Sequence, residues 1–315
     1  MSDPVDVAVP PSRPSARKGV VGYAFALGAG VTWGTTGPLS TALYAEGAEL
    51  TGIGFWRILL GTVGLLAYGA FHRELFRVDR RGLLLMGLVG GALVALFEVA
   101  YQFAIAGVGV AGAAALLYTA PVMVAFLGRI ALRESLTPLR LLLAMGVMAG
   151  AALTVRGGSG AAEGLALPGL GAGVVGGLLT AGAYAGTTVL ARYVVPRYGS
   201  VRMLFFEAAG GTLILAALLP LSGHAPAPPP TAEGWAYIGA LAVLTVLAAN
   251  FLFFAALRRI EAAPTAVAAT IEPVAAALLA LLLFAQRLTA WGWLGLGLVV
   301  GSVAAGYRWE GARES

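Results

Sequence analysis

Four ionisable side chains, Arg57, Glu98, Glu207 and Glu272, stand inside long apolar runs. A charge at hydrocarbon depth costs about 2.5–3.5 kcal/mol on insertion scales, so each needs a partner or a task. A desolvated carboxyl there can hold a proton or the cationic group of a substrate. Glu272 precedes Pro273, which removes a backbone hydrogen bond and can leave carbonyls facing a cavity. Pro121 marks the same kind of helix break earlier in the chain. Glu98 and Glu272 are therefore the leading binding or coupling candidates, with structural pairing to Arg57 as the alternative. Arg57 and Glu207 read equally as a buried ion pair or hydrogen-bonded anchor holding two halves together.

Aromatic and amide side chains supply the other candidate contacts: Trp33, Trp56, Tyr101, Gln102, Tyr118, Tyr184 and Asn250. Taken singly, a Trp or Tyr on a span is more often an interfacial or packing residue. Tyr101 shares a helix face with Glu98 at i, i+3. Asn250, the only asparagine, sits mid-span, where an amide needs a partner. The chain has no cysteine, which removes thiolate chemistry and Cys-based zinc sites. His72 and His224 fall in loops on opposite faces and cannot form one site, so no metal is expected. Gly107-x-Gly109-x-x-Gly112 matches a dinucleotide fingerprint but follows no strand and reads as a tight hairpin. No Walker A sequence occurs, and no cofactor is expected.

The elements that must carry these groups follow from composition. The 315 residues are 59% hydrophobic and 11% charged, with mean hydropathy +0.87. A soluble surface needs about 25% charged residues, so lipid must solvate this chain. Ten continuous apolar stretches are long enough to span a bilayer as helices: 20–41, 50–71, 82–105, 109–131, 138–155, 168–190, 200–221, 234–257, 264–285 and 290–307. Residues 1–19 are polar and proline-rich, the pattern of a disordered tail, and residues 308–315 form a second tail. Seventeen of the 20 Lys and Arg residues fall on one face when the connections are sorted by alternate sides. The positive-inside rule then puts both termini in the cytoplasm and orients the chain in the cell (inner) membrane. That distribution also accounts for the net charge of +5 without a nucleic-acid partner.

A shift of about 151 residues aligns the halves. Trp33-Gly34-Thr35-Thr36 falls on Tyr184-Ala185-Gly186-Thr187, and Tyr118-Thr119-Ala120-Pro121 falls on Thr270-Ile271-Glu272-Pro273. The expected architecture is an all-α polytopic membrane protein: a five-helix repeat at 20–155, a linker at 156–167 and a second repeat at 168–307. Five spans is an odd number, so the second repeat enters the membrane inverted, with a substrate site near the midplane between the halves.

These motifs, with Phe55-Trp56-Arg57 and the exit Arg133-Glu134-Ser135-Leu136-Thr137, resemble the EamA-type members of the drug/metabolite transporter superfamily over residues 20 to 307. One departure is Gln286, where the second repeat would often carry Glu. The resemblance implies ten helices in two inverted repeats and export of small metabolites, often amino acids or their relatives. The expected function is thus a secondary transporter, not an enzyme, with a small amphipathic substrate, the lipid bilayer as its medium and protons as candidate coupling ions. An integral membrane enzyme acting on lipid-linked substrates is the alternative. Oligomeric state, substrate identity and direction are open at this point.

Overall fold

The computed structural model describes residues 16–156, 170–223, 225–284 and 289–314. The expected tail over 1–15, most of the 156–167 linker, His224 and Gln286 lie outside the described residues. Residues 16–19 are helical, so the first helix begins one turn earlier than the apolar run. The last helix likewise continues to Glu314.

Apolar length dictates helices here, because every backbone polar group in lipid must be satisfied within its own segment. Helices α1 (Ala16–Trp33), α2 (Thr36–Ala45) and α3 (Leu50–Phe71) open the chain. Helix α4 starts at Arg80–Gly82, passes through a π-helical stretch at Leu83–Gly90 and continues over Gly91–Leu117. Helices α5 (Ala120–Leu132) and α6 (Pro138–Arg156) complete the first half. The second half comprises α7 (Leu170–Tyr198), α8 (Ser200–Leu221) and α9 (Ala232–Leu257, π-helical over Ala242–Ala249). It ends with α10 (Ala262–Ala269), α11 (Glu272–Phe284) and α12 (Ala290–Glu314). Among the described residues there is no strand. Eight segments are long and apolar enough to cross a membrane. The remaining two expected spans correspond to the broken α1–α2 pair and to the shorter apolar stretch Pro138–Thr154.

Helix α4 is not straight. A Cβ at Gly176 would lie 2.8 Å from the Ala104 nitrogen, while one at the adjacent Gly177 would lie 2.6 Å from Leu116 Cβ. On a straight helix those two α4 residues would be about 18 Å apart. The chain therefore reverses between them, through the Gly107–Gly112 hairpin.

Three expected spans are each interrupted midway. The breaks fall at Gly34–Thr35, Tyr118–Thr119 and Thr270–Ile271. Each new helix starts with a proline in its first turn: Pro38, Pro121 and Pro273. At that position the missing N–H is not needed for the helix. Prolines thus stand just after the breaks. The hydroxyls of Thr35, Thr119 and Thr270 donate back to carbonyls of the preceding turn at 2.7, 2.7 and 2.8 Å.

Corresponding helices of the two halves run antiparallel. The start of α3 lies against the segment after α8, where the Trp56 indole donates to the Ala227 carbonyl at 3.1 Å. Beyond the end of α3, the Glu74 carbonyl accepts from Arg202 at the start of α8. Helices α6 and α12 cross in the same sense: Gly295 abuts Thr154, while Gly306 abuts Leu143. Midway along α3 and α8, the hydroxyls of Thr62 and Thr212 meet at 3.2 Å.

Close approach, not conformation, explains most paired glycines. A Cβ at Gly210 would sit 1.9 Å from the Gly87 carbonyl oxygen, and one at Gly91 would sit 2.5 Å from Gly210. Only glycine lets α4 and α8 meet at this distance, which brings Glu98 and Glu207 towards one space. Gly297 and Gly301, spaced like a packing pair, face open space instead.

Candidate functional site

A cavity of about 220 Å³ lies between the two halves. Its wall comes from helix ends and mid-helix faces: Trp33 closes α1, Thr36 opens α2, Leu117 closes the second arm of α4 and Glu272 opens α11. Broken helices deliver these groups because their ends, unlike helix flanks, leave backbone polar groups free to face a cavity.

Eight of the sequence-predicted residues share this wall: Trp33, Arg57, Glu98, Tyr101, Tyr184, Glu207, Asn250 and Glu272. Gln102 is on the far side of Glu98, in a smaller recess with Thr51, Gly54 and Leu219. Tyr118 sits at the α4–α5 break, near enough to Glu272 to be influenced by its charge. Trp56 is not on the wall; its ring meets Trp235 at 5.1 Å near the far end. Pro121 and Pro273 are buried behind the breaks they follow.

The charged groups pair differently from the anchor considered above. Arg57 forms an ion pair with Glu98, both in the first half, and not with Glu207. Glu207 is 3% exposed, and its Oε2 has no hydrogen-bond partner among the described residues. The reason is geometric. Arg57 and Glu207 each precede their threonine, Thr62 or Thr212, by five residues on antiparallel helices, so they lie on opposite sides of the crossing. Glu272 is partly exposed at the N-terminus of α11, within electrostatic reach of Arg57, Tyr101 and Tyr184. The positive end of the helix dipole favours a carboxylate there.

Three rings from different helices form one side of the wall. Trp33 and Phe253 have ring centres 5.1 Å apart, Tyr184 and Phe253 are at 5.7 Å, and Trp33 and Tyr184 are at 6.2 Å. The Trp33 indole donates to the Thr245 carbonyl at 3.1 Å, which fixes its plane across the two halves. The Asn250 amide has no hydrogen-bond partner among the described residues and is partly exposed to the cavity. Among the described residues, no three His, Asp or Glu side chains are placed to share a metal ion.

Several wall residues carry no charge and escape a search for chemistry, among them Thr36, Thr187, Thr245, Phe97 and Phe253. The repeat itself carries the missing signal. Thr36 and Thr187, Ile58 and Ala208, Val94 and Val246, and Glu98 and Asn250 are equivalent at a shift of 150 to 152 and all line the cavity.

The arginine-rich end carries a polar cluster. Both carboxylate oxygens of Glu134 accept from the Ala262 N–H that starts α10, at 3.1 and 3.0 Å, and Arg192 Nε donates to the same group at 3.2 Å. Burial pushes the Glu134 pKa above the usual glutamate value, against the opposing pull of these donors. Arg140 pairs with Glu261 beside it. Nearby, Asp79 caps the start of α4, and the hydrogen bond from the Tyr198 hydroxyl holds its carboxyl below the usual range.

Multiple apolar helices, a duplicated helical plan and a polar cavity between the copies define a multi-pass membrane protein of the two-repeat transporter type. The chain belongs to the EamA-like transporter family, whose model matches residues 20–156 and again residues 171–306. Its fold is similar to a crystal structure of another protein, with a TM-score of 0.78 at 18% identity over 96% of this chain and 100% of that one. No curated protein matches the chain.

Proposed function

We propose that this protein is a secondary transporter exporting small metabolites, amino acids or related amphipathic compounds, by alternating access around the central cavity. The observation that carries this reading is the composition of the wall: equivalent positions from antiparallel halves enclose one space. Two halves related in this way can rock about the Thr62–Thr212 contact and expose a fixed site to either side in turn. Ten spans in two inverted five-helix repeats, both termini cytoplasmic and a place in the cell membrane complete the reading. The arginine distribution supports this orientation. The breaks at Gly34, Tyr118 and Thr270 supply the hinges, and the Glu134 cluster is a closed gate on the arginine-rich side.

Counterflow in sealed liposomes containing only the purified chain tests the proposal. Internal unlabelled amino acid should drive uptake of its labelled form without ATP and without chemical change. Flux that requires ATP, or no flux across a full amino-acid and amine panel, overturns it. Topology has its own test in this cysteine-free chain. Impermeant thiol reagent should label Ser222→Cys in intact cells and leave Ser15→Cys untouched.

A further inference from the structure

The charges in the cavity do not balance. Three carboxyls face it, and Arg57 is the only cationic side chain lining it among the described residues. That guanidinium is already paired with Glu98. Glu207 and Glu272 come from two other helices, α8 and α11, and neither has a counter-ion in contact among the described residues. Burying a carboxylate without a partner costs several kcal/mol, so each of these two carboxyls must either hold a proton or meet an occupant that supplies positive charge.

We propose that the transported substrate is an organic cation, an amine carried on a small apolar body and lacking a carboxylate. This rests on the transporter reading and narrows its substrate class. Glu272 holds the ammonium group. It lines the cavity at a helix N-terminus and is partly exposed, with the other uncompensated carboxyl, Glu207, more deeply buried on the same wall. The Trp33, Tyr184 and Phe253 rings receive the apolar body and offer π faces to the charge. Trp33 is locked by its bond to Thr245, so the ring face is preorganised. A zwitterionic amino acid brings a carboxylate for which no unpaired cation waits. The cavity of about 220 Å³ is smaller than the roughly 300–1,000 Å³ typical of drug-sized ligands and suits a small metabolite.

Three probes that share a phenylethyl body and differ in the ionic groups it carries decide the matter: 2-phenylethylamine, phenylalanine and 3-phenylpropionate. Calorimetric titration of the full chain in detergent should show the amine bound about tenfold or more tighter than the amino acid, the size of one charge-assisted contact. The anion should not displace the amine. Glu272→Gln should remove the preference with the thermal midpoint retained, and Glu272→Asp should keep part of it. Glu207→Gln, separately folded and assayed, should weaken the amine to a lesser degree. Phenylalanine binding as tightly as the amine, no amine binding, or amine affinity unchanged in both glutamine variants each overturns the proposal. Amino-acid counterflow alongside any of those results keeps the transporter reading and ends only this one. Absence of all flux alongside tight amine binding does the reverse.

Discussion

At matching positions the first half of the chain carries Arg57, Glu98, Tyr101 and Ala120 where the second carries Glu207, Asn250, Phe253 and Glu272. The backbones at these places follow one plan, with α3 and α8 both 22 residues long and α5 and α11 both 13. The side chains do not. The first half neutralises itself through the Arg57–Glu98 pair, whereas the second leaves two carboxyls and an amide without partners among the described residues. A duplicated fold fixes where groups point, and divergence then decides which half is anchor and which half is open to a ligand. On the proposed reading, the first half anchors and the second half recognises.

The sharpest way to break that contrast is to make the same change at equivalent sites. Arg57→Leu strands Glu98 as an unpaired carboxylate and should destabilise the protein by about 3 kcal/mol or more. Glu207→Leu removes a buried, unpartnered polar group and should leave stability unchanged or raise it by about 1 kcal/mol. Chemical unfolding in micelles reads both. Equal losses would mean that Glu207 is as much an anchor as Arg57, and the division between halves fails.

Next in size is the effect on flux. Glu272→Gln should lower transport by about tenfold, near 1.4 kcal/mol, with the unfolding midpoint almost unmoved. Ala120→Ser at the equivalent first-half position should change neither. Flux and stability falling together in the Glu272 variant would make that carboxyl structural.

Span positions and the repeat were legible in the sequence because both rest on features of single positions: apolar length, proline placement and a constant shift. Pro121 and Pro273 announced their breaks, and Pro38 would have announced the one at Gly34–Thr35. Its equivalent is Val189, and α7 runs unbroken there. Pairing was legible only in part: Glu98 and Glu272 were both candidate partners of Arg57, and the structure pairs Glu98. The shift shows that Arg57 and Glu207 are equivalent, but equivalence in antiparallel halves puts them at opposite depths. Only residues at the crossing, such as Thr62 and Thr212, meet their own counterparts. The partner of Arg57 depended on the facing of α3 against α4, which no periodicity of apolar residues reports.

A smaller effect concerns the two ends. Glu134 has a pKa raised by burial, and its second-half equivalent in sequence, Gln286, does not titrate. The raised value means that acidification protonates Glu134 at a higher pH than an ordinary glutamate. Its contribution to folding then improves as pH falls through that value, while its ion pair with Arg192 is lost. The gate should therefore loosen on acidification without unfolding. A cysteine at the buried Ala263, labelled relative to an exposed cysteine at Arg258, should react several-fold faster below that value. Glu134→Gln should abolish the pH step. A step that persists in that variant assigns it to another group.

The smallest expected effect sits where the halves are truly alike. Thr62 and Thr212 share one hydrogen bond at 3.2 Å, both nearly buried, and either hydroxyl can donate. A threonine that loses its partner has a fallback: its hydroxyl can turn to the carbonyl one turn earlier, as Thr188, Thr245 and Thr270 do. Thr62→Val and Thr212→Val should therefore each cost only about 0.5 kcal/mol, less than the usual range for a stranded buried hydroxyl. The two costs should be equal, since each variant leaves the same group in the same surroundings. The double variant removes both hydroxyls while keeping both shapes, so it should cost no more than one single variant, giving a coupling of about 0.5 kcal/mol. Unequal single costs with no coupling would mean that the threonines bond elsewhere. The halves would then lack the contact at their crossing about which the proposed rocking turns.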